Sequence, residues 1–138
     1  MSKIQTYKGY QVDAPIPKPS ELVQPNIVTV QDGIPLKFEG SDVVNVRVLH
    51  PVNPKAPSRN FSVSMLYVPP HGILTVGSHY NEECYAILRG RGTMTLGGQQ
   101  VEVRGGMFIH LVSWCEHGVQ NTGEENLEIL VCTSPPNP

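Results

Sequence analysis

The sequence has few charges, and none of its charge patterns favours a polyanionic partner. Only 16% of the 138 residues are charged, and the net charge is −2 at pH 7. Without a basic run, nothing predicts binding to nucleic acid or to an anionic membrane surface. The chain also lacks an apolar run of about 18 residues and shows no signal-peptide block near Met1. These absences predict a cytoplasmic globular protein, and the length predicts a single domain.

Cysteine is scarce. The chain has three cysteines, Cys84, Cys115 and Cys132, and no two of them have CxxC spacing. An odd number without that spacing argues against a disulfide framework and against a zinc site built from cysteine. We interpret the three as reduced thiols that pack as small apolar side chains.

Proline is absent between His71 and Ser134 but frequent before them, with eight of the 13 prolines in residues 15–57. Because proline removes backbone donors, residues 1–28 are predicted to form an extended arm, with one candidate strand at residues 27–30. The apolar side chains of the arm predict a homodimer in which each arm lies along the partner's sheet. The alternative is an arm folded back on its own domain, which spans residues 29–138.

That second region alternates apolar and polar residues over short segments separated by glycine, asparagine and proline, and it shows no helical period. The pattern predicts an all-β fold, either a closed barrel or a double-sheet jelly roll. Nine strands are predicted, at 43–50, 61–68, 73–76, 84–89, 92–96, 99–103, 107–112, 118–121 and 127–133.

Two short segments carry candidate metal ligands. Glu83 shares one strand face with Tyr85 and Ile87, so its carboxylate points toward an apolar interior, where it needs a partner, a proton or a cation. His79 precedes it by four residues, and His117 starts a later strand. Imidazole and carboxylate are ordinary ligands of divalent transition metals. A charged turn that solvates a hairpin is the alternative.

These segments resemble the two motifs of the cupin superfamily of small jelly-roll proteins, G-x5-H-x-H-x3,4-E-x6-G and G-x5-P-x-G-x2-H-x3-N. In the first motif, His79 matches the second histidine, and Glu83 to Gly90 matches E-x6-G. In the second motif, Gly106 matches the first glycine, and His117 to Asn121 matches H-x3-N. The resemblance covers roughly residues 43–134 and implies a double-stranded β-helix.

The chain also departs from the motifs. Gly77 stands where the first histidine is expected, and Val112 and Trp114 replace the proline and glycine of the second motif. The resemblance therefore implies three of the family's four ligands: His79, Glu83 and His117. A weak fourth ligand from Asn81 would break the match between Glu83 and Gly90.

What the resemblance implies is a cupin enzyme that uses a divalent transition metal (Fe, Mn, Ni or Zn) on a small organic molecule. Two histidines and one carboxylate give a slight preference for non-haem oxygenase-type chemistry. A metal-dependent lyase or isomerase, a non-catalytic cupin that binds a small ligand, and a purely structural dimer remain as alternatives, because fold alone decides none of them.

Several other residues are candidates for the pocket or its rim. Pocket-lining candidates are Arg47, Met65, Tyr67, Tyr85 and Trp114. Arg47 lies among valines in VVNVRVLH; facing inward it can clamp a carboxylate, and in the opposite phase it lies in solvent. His50 and Glu82 are expected to be exposed, His71 to lie on a rim loop, and His110 to be packed and hydrogen-bonded.

Overall fold

The fold was analysed in a computed structural model that describes residues 3–138. Within that range it contains ten β-strands, one 3₁₀ turn at Val30–Asp32 and no α-helix. The all-β prediction is confirmed, and all nine predicted strands have a counterpart. No helix among the described residues is long and apolar enough to cross a membrane.

The strands form two antiparallel sheets. They are β1 (Ile34–Lys37), β2 (Val44–Leu49), β3 (Ser62–Val68), β4 (Ile73–Gly77), β5 (Glu82–Arg89), β6 (Arg91–Leu96), β7 (Gln99–Arg104), β8 (Phe108–Leu111), β9 (His117–Asn121) and β10 (Leu127–Ser134). One sheet has the order β1-β2-β3-β10-β5-β8, and the other has the order β4-β9-β6-β7. Two facing sheets with these crossovers fit the double-stranded β-helix that the sequence predicts.

The inward face of the larger sheet changes from polar to apolar along its strands. In the register of β3, β10 and β5, four successive rows are Ser62–Thr133–Glu83, Ser64–Val131–Tyr85, Leu66–Ile129–Ile87 and Val68–Leu127. Because side chains alternate between faces, these residues all point to the interior. The barrel therefore has one polar end and one apolar end.

The apolar end is the core. Leu66, Ile87, Leu127 and Ile129 are almost fully buried there, and Met94 of the smaller sheet packs against them. Burying one such side chain stabilises the fold by about 1.5–3 kcal/mol. This packed end holds the strands in register, so the polar residues at the other end of the same strands are held in fixed positions.

Two features before residue 40 differ from the sequence prediction. β1 was not predicted; it contains Pro35 and pairs with β2 at the edge of the sheet, where a missing donor is tolerated. The candidate strand at residues 27–30 does not form, and Val30 instead begins the 3₁₀ turn. Residues 3–29 contain no helix or strand, and their large apolar side chains are exposed except for Val28, which is half-buried.

Candidate metal site

The structure brings His79, Glu83 and His117 together at the polar end of the barrel. Glu83 belongs to β5 of the larger sheet, and His117 begins β9 of the smaller one. His79 lies in the turn between β4 and β5, where its carbonyl accepts a hydrogen bond from the Trp114 backbone at 2.8 Å. The three side chains therefore come from one strand of each sheet and from a turn that a backbone hydrogen bond holds in place.

The side chains converge on one point. Nε2 of His79 lies 3.1 Å from Glu83 Oε1, and Nε2 of His117 lies 3.2 Å from the same oxygen. The centroids of the two imidazole rings are 5.1 Å apart, and the ring planes are nearly perpendicular, with an interplanar angle of 82°. Each residue offers one ligand atom, and the three atoms all lie within 4.8 Å of one another.

Neighbouring groups hold two of these side chains in place. The Thr133 hydroxyl donates to Glu83 Oε2 at 2.7 Å. Nδ1–H of His117 donates to the Cys115 carbonyl at 2.9 Å. Glu83 Oε1 and His117 Nε2 therefore remain free to face the centre of the group, as is usual where a second set of hydrogen bonds orients metal ligands.

Burial and charge act in opposite directions on this group. Burial alone would raise the pKa of the Glu83 carboxyl, but the adjacent His117, the Thr133 hydroxyl and His79 outweigh burial and hold that pKa below its ordinary value. Burial alone would lower the pKa of His117, yet Glu83 and the Cys115 carbonyl raise it. A buried carboxylate in its charged form favours a cation at this point.

The distances fit a shared metal ion. Two ligand atoms, each about 2.1 Å from one ion, lie about 3.0–3.4 Å apart at octahedral to tetrahedral angles. The two nitrogen–oxygen separations of 3.1 and 3.2 Å fall in that range. Glu83 Oε1 is buried and has no aligned hydrogen-bond donor. An oxygen in this condition is costly unless a cation or another partner binds it, so the three residues fit a divalent metal.

Gly77 lies beside this group. It pairs with His117 in the register of β4 and β9. A Cβ atom added at Gly77 would meet no heavy atom within 4 Å. The fourth side of the group, where the cupin motif has its first histidine, is therefore open space.

His79, Glu83 and His117 are called the metal group below. A cavity of about 390 Å³ begins at this group and extends along the inner face of the larger sheet. Two of the predicted pocket residues, Arg47 and Tyr85, line it. Tyr85 is buried, and burial together with the charge of Glu83 raises the pKa of its hydroxyl, which therefore stays protonated. The volume is in the range of small-molecule sites.

Three other predicted pocket residues do not line the cavity. Met65 and Tyr67 alternate with Ser64 and Leu66, which face inward, so they lie on the opposite face of β3. Trp114 is 65% exposed and sits outside the cavity in a left-handed backbone conformation, with φ of 68°. The sequence FSVSMLYV did not show which face of β3 points into the barrel, because both faces of this strand carry apolar residues.

The burial of two of the remaining three histidines differs from the sequence prediction. His50 was expected to be exposed, but it is 3% exposed and lines the cavity. His110 was expected to be packed, but it is exposed and paired with Glu82, which is exposed as predicted. His71 lies, as expected, in an exposed turn, between β3 and β4.

Sequence reasoning missed the residues that support the metal group. Thr133 carries a recognisable signal, since it alternates with Ile129 and Val131 on the inward face of β10. The Cys115 carbonyl carries none, because backbone groups have no sequence pattern. His50 carries none either, since one of its partners is the carbonyl of residue 137, far along the chain.

Comparison with known proteins places these features in a family. Residues 64–133 match the cupin domain model. An uncharacterized protein from Methanocaldococcus jannaschii is 38% identical over 76 residues, which are 54% of this chain and 61% of that protein. The matched region thus covers less than two thirds of the relative's length.

Solved structures share the fold. A predicted oxalate decarboxylase from Thermotoga maritima is 22% identical and superposes with a TM-score of 0.66, over 78% of this chain and 97% of that one. The polyketide cyclase RemF from Streptomyces resistomycificus is 19% identical, with a TM-score of 0.69, over 82% of this chain and 83% of that one. The family model, which spans half of the sequence, and the two-sheet barrel lead to one conclusion: this chain belongs to the cupin family.

Proposed function

We propose that this cupin is a metal-dependent enzyme that acts on a small organic molecule held in the barrel cavity. The observation that carries the proposal is the buried Glu83 oxygen, which two imidazole nitrogens approach to 3.1 and 3.2 Å without an aligned hydrogen bond. His79, Glu83 and His117 are the proposed ligands of an iron, manganese, nickel or zinc ion.

Two histidines and one carboxylate leave coordination positions open, and this ligand set is typical of non-haem iron oxygenases. When bound, such a metal supplies a Lewis acid or a redox centre. Gly77 adds open space on the same side of the group. Oxygenase-type chemistry is therefore our first choice of reaction.

The protein's own residues would position the substrate. Tyr85 forms part of the cavity wall, and its ring centroid lies 5.6 Å from that of His117. Because its hydroxyl stays protonated, Tyr85 can donate a hydrogen bond to a substrate oxygen near the metal group. Leu66, Leu74 and Val131 make part of the wall apolar and keep water away from the bound molecule.

The protonated Tyr85 also supports a second candidate, a metal-dependent lyase or isomerase. Such reactions need no oxidant, and a hydrogen bond from the Tyr85 hydroxyl would stabilise negative charge that develops on a substrate oxygen. Two structural neighbours, a predicted oxalate decarboxylase and a polyketide cyclase, have names that indicate non-oxygenase activities. These two proteins are 22% and 19% identical to this chain, so the likeness shows the fold alone. The ligand set therefore carries more weight than their names in the choice of reaction.

The proposal can be tested with nitric oxide as a probe of open positions. We expect the protein loaded anaerobically with Fe(II) to give a high-spin iron–nitrosyl signal in electron paramagnetic resonance. The His117→Ala variant should give no such protein-bound signal, while Glu82→Ala, a change in an exposed neighbouring carboxylate, should keep it. Iron that binds but never reacts with nitric oxide would exclude the oxygenase and favour the non-redox candidate.

A further inference from the structure

The cavity has a second polar region, away from the metal group. Arg47 lies on β2 in register with Ser64, and the same cross-strand row continues through Val131 to Tyr85. This row places the guanidinium on the cavity wall, where Arg47 is half-buried. His50, three residues later, is buried beside it and lines the same cavity.

Both residues present N–H donors. The backbone N–H of Val52 donates to Nδ1 of His50 at 3.1 Å, so the ring hydrogen sits on Nε2. Burial lowers the pKa of His50, and the charge of Arg47 lowers it further against the opposing effect of the Asn137 carbonyl. The ring is therefore a neutral Nε2–H donor next to a cation.

The positive charge of Arg47 is not matched by an acidic side chain. Among residues 3–138, Arg47 takes part in no ion pair with an Asp or Glu side chain. Glu83 is the one acidic side chain among the cavity-lining residues that the structure describes, and it belongs to the metal group. The strongest partners of a partly desolvated guanidinium are carboxylates and phosphates, and no acidic side chain supplies one to Arg47.

The present partners of these donors are backbone oxygens of one segment, residues 135–138. Arg47 donates to a backbone oxygen of Pro138, the last residue of the sequence, and His50 Nε2 donates to the Asn137 carbonyl at 2.7 Å. The same segment is fastened by Asn81, whose amide donates to the Pro135 carbonyl at 2.6 Å. Two backbone oxygens thus lie where the two oxygens of a carboxylate would receive the same hydrogen bonds.

We propose that Arg47 and His50 form a carboxylate-binding subsite of this cavity, and that the ligand is an organic acid which displaces the backbone oxygens of residues 137 and 138. The identification of that acid as the substrate rests on the proposed function, whereas the subsite itself does not. Because the segment competes with the acid, the apparent affinity is reduced by the fraction of molecules in which the segment occupies the subsite.

The subsite and the metal group lie on different strands of one cavity wall. The backbones of Arg47 and Tyr85 are separated by three strand spacings of about 4.8 Å each, because their row runs from β2 through β3 and β10 to β5. The Arg47 side chain and the ligand together span this width, so a series of acids of increasing length shows which length fits.

The test is calorimetric titration of the metal-loaded protein with straight-chain mono- and dicarboxylic acids of two to six carbons. At least one acid should bind, and Arg47→Gln should weaken that binding tenfold or more. Arg47→Lys should give an intermediate loss, since it keeps the charge but not the planar fork. Arg89→Gln is the matched control, because Arg89 pairs with Glu125 outside the cavity; it should bind as the wild type does. Binding that Arg47→Gln leaves unchanged, or no binding by any acid at millimolar concentration, would overturn the subsite.

Two further measurements separate this subsite from the metal. Asn81→Ala, which loosens the segment, should bind the acid more tightly than the wild type; weaker binding by a folded, metal-loaded variant would contradict the competition. Metal content is measured on each variant. Loss of acid binding with full metal content in Arg47→Gln supports the subsite. A metal-free wild type that still binds acid through Arg47 removes the proposed function and leaves the subsite standing.

Discussion

At the scale of single residues, the metal group depends on which atoms its neighbours leave free. Thr133 engages one oxygen of Glu83, and the Cys115 carbonyl engages one nitrogen of His117. The other oxygen and nitrogen then face each other across 3.2 Å. Residues that never touch the ion thus decide the direction in which its ligands point.

Gly77→His should strengthen metal binding. Gly77 pairs with His117, its backbone is not in the left-handed region, and a side chain there meets open space. A fourth ligand is expected to raise the affinity at least about tenfold, which is about 1.4 kcal/mol. Competition with a chelator measures the metal affinity of the variant and of the wild type. Val76→His, on the opposite face of the same strand, should have no effect; an equal gain in both variants would show that the new imidazole does not reach the metal group.

Trp114→Gly should stabilise the protein. A residue with a side chain at φ of 68° carries a strain of about 1–2 kcal/mol, while glycine costs about 0.5–1 kcal/mol in chain entropy. The net gain in the free energy of unfolding is about 0.5–1 kcal/mol, measured by urea denaturation. Trp114→Ala keeps the Cβ atom and its strain, so it should give no gain. If the two variants have equal stability, the strain is absent.

At the scale of elements, the turn between β9 and β10 depends on a buried asparagine. The Asn121 amide donates to the carbonyls of Val68 and Glu125, both at 2.8 Å, and its Oδ1 accepts from the Gly123 N–H. This motif residue is fully buried and lies outside the cavity lining. It joins the smaller sheet to the end of β3 in the larger one.

Asn121→Ala is expected to lower the free energy of unfolding by about 2–4 kcal/mol, because it leaves two carbonyls and one N–H buried without partners. Denaturant unfolding monitored by circular dichroism measures the change. Asn126→Ala, an exposed asparagine close to the same turn, should change stability by less than about 0.5 kcal/mol. A loss at Asn121 as small as that at Asn126 would refute the structural role.

Alternation and the turn residues between segments predicted nine of the ten strands; alternation is clearest in strands with one buried face, such as β3 and β10. β1 escaped prediction, since an edge strand with Pro35 needs neither alternation nor a full set of donors. For the site, motif spacing brought out His79, Glu83 and His117. The direction of Arg47 stayed undecided because valines flank it on both sides, and its position became visible only with the register of β2 against β3.

At the scale of the whole molecule, the exposed region before β1 bears on assembly. Ile4, Tyr10, Leu22 and Ile27 are each at least 90% exposed, so in the single chain residues 3–29 bury little of their apolar surface. Apolar area of this extent favours a partner surface. We propose that a second copy of the chain supplies it, in a twofold homodimer with exchanged arms.

Light scattering on the full chain and on a version that begins at Pro25 tests this assembly. The full chain should be a dimer, and the shortened chain should dissociate or dimerise more weakly, because the exchanged contact is gone. A monomeric full-length protein would contradict the dimer. A shortened chain that dimerises as tightly as the full one would show that the arm is not exchanged.

The central claim is that His79, Glu83 and His117 bind a metal ion, and its most direct test is elemental analysis of protein purified without chelator. We predict stoichiometric iron, manganese, nickel or zinc in the wild type and in the Glu82→Ala control, and no bound metal in His117→Ala. A wild type that stays metal-free even after incubation with these ions, or a His117→Ala variant that keeps its full metal content, would contradict the claim.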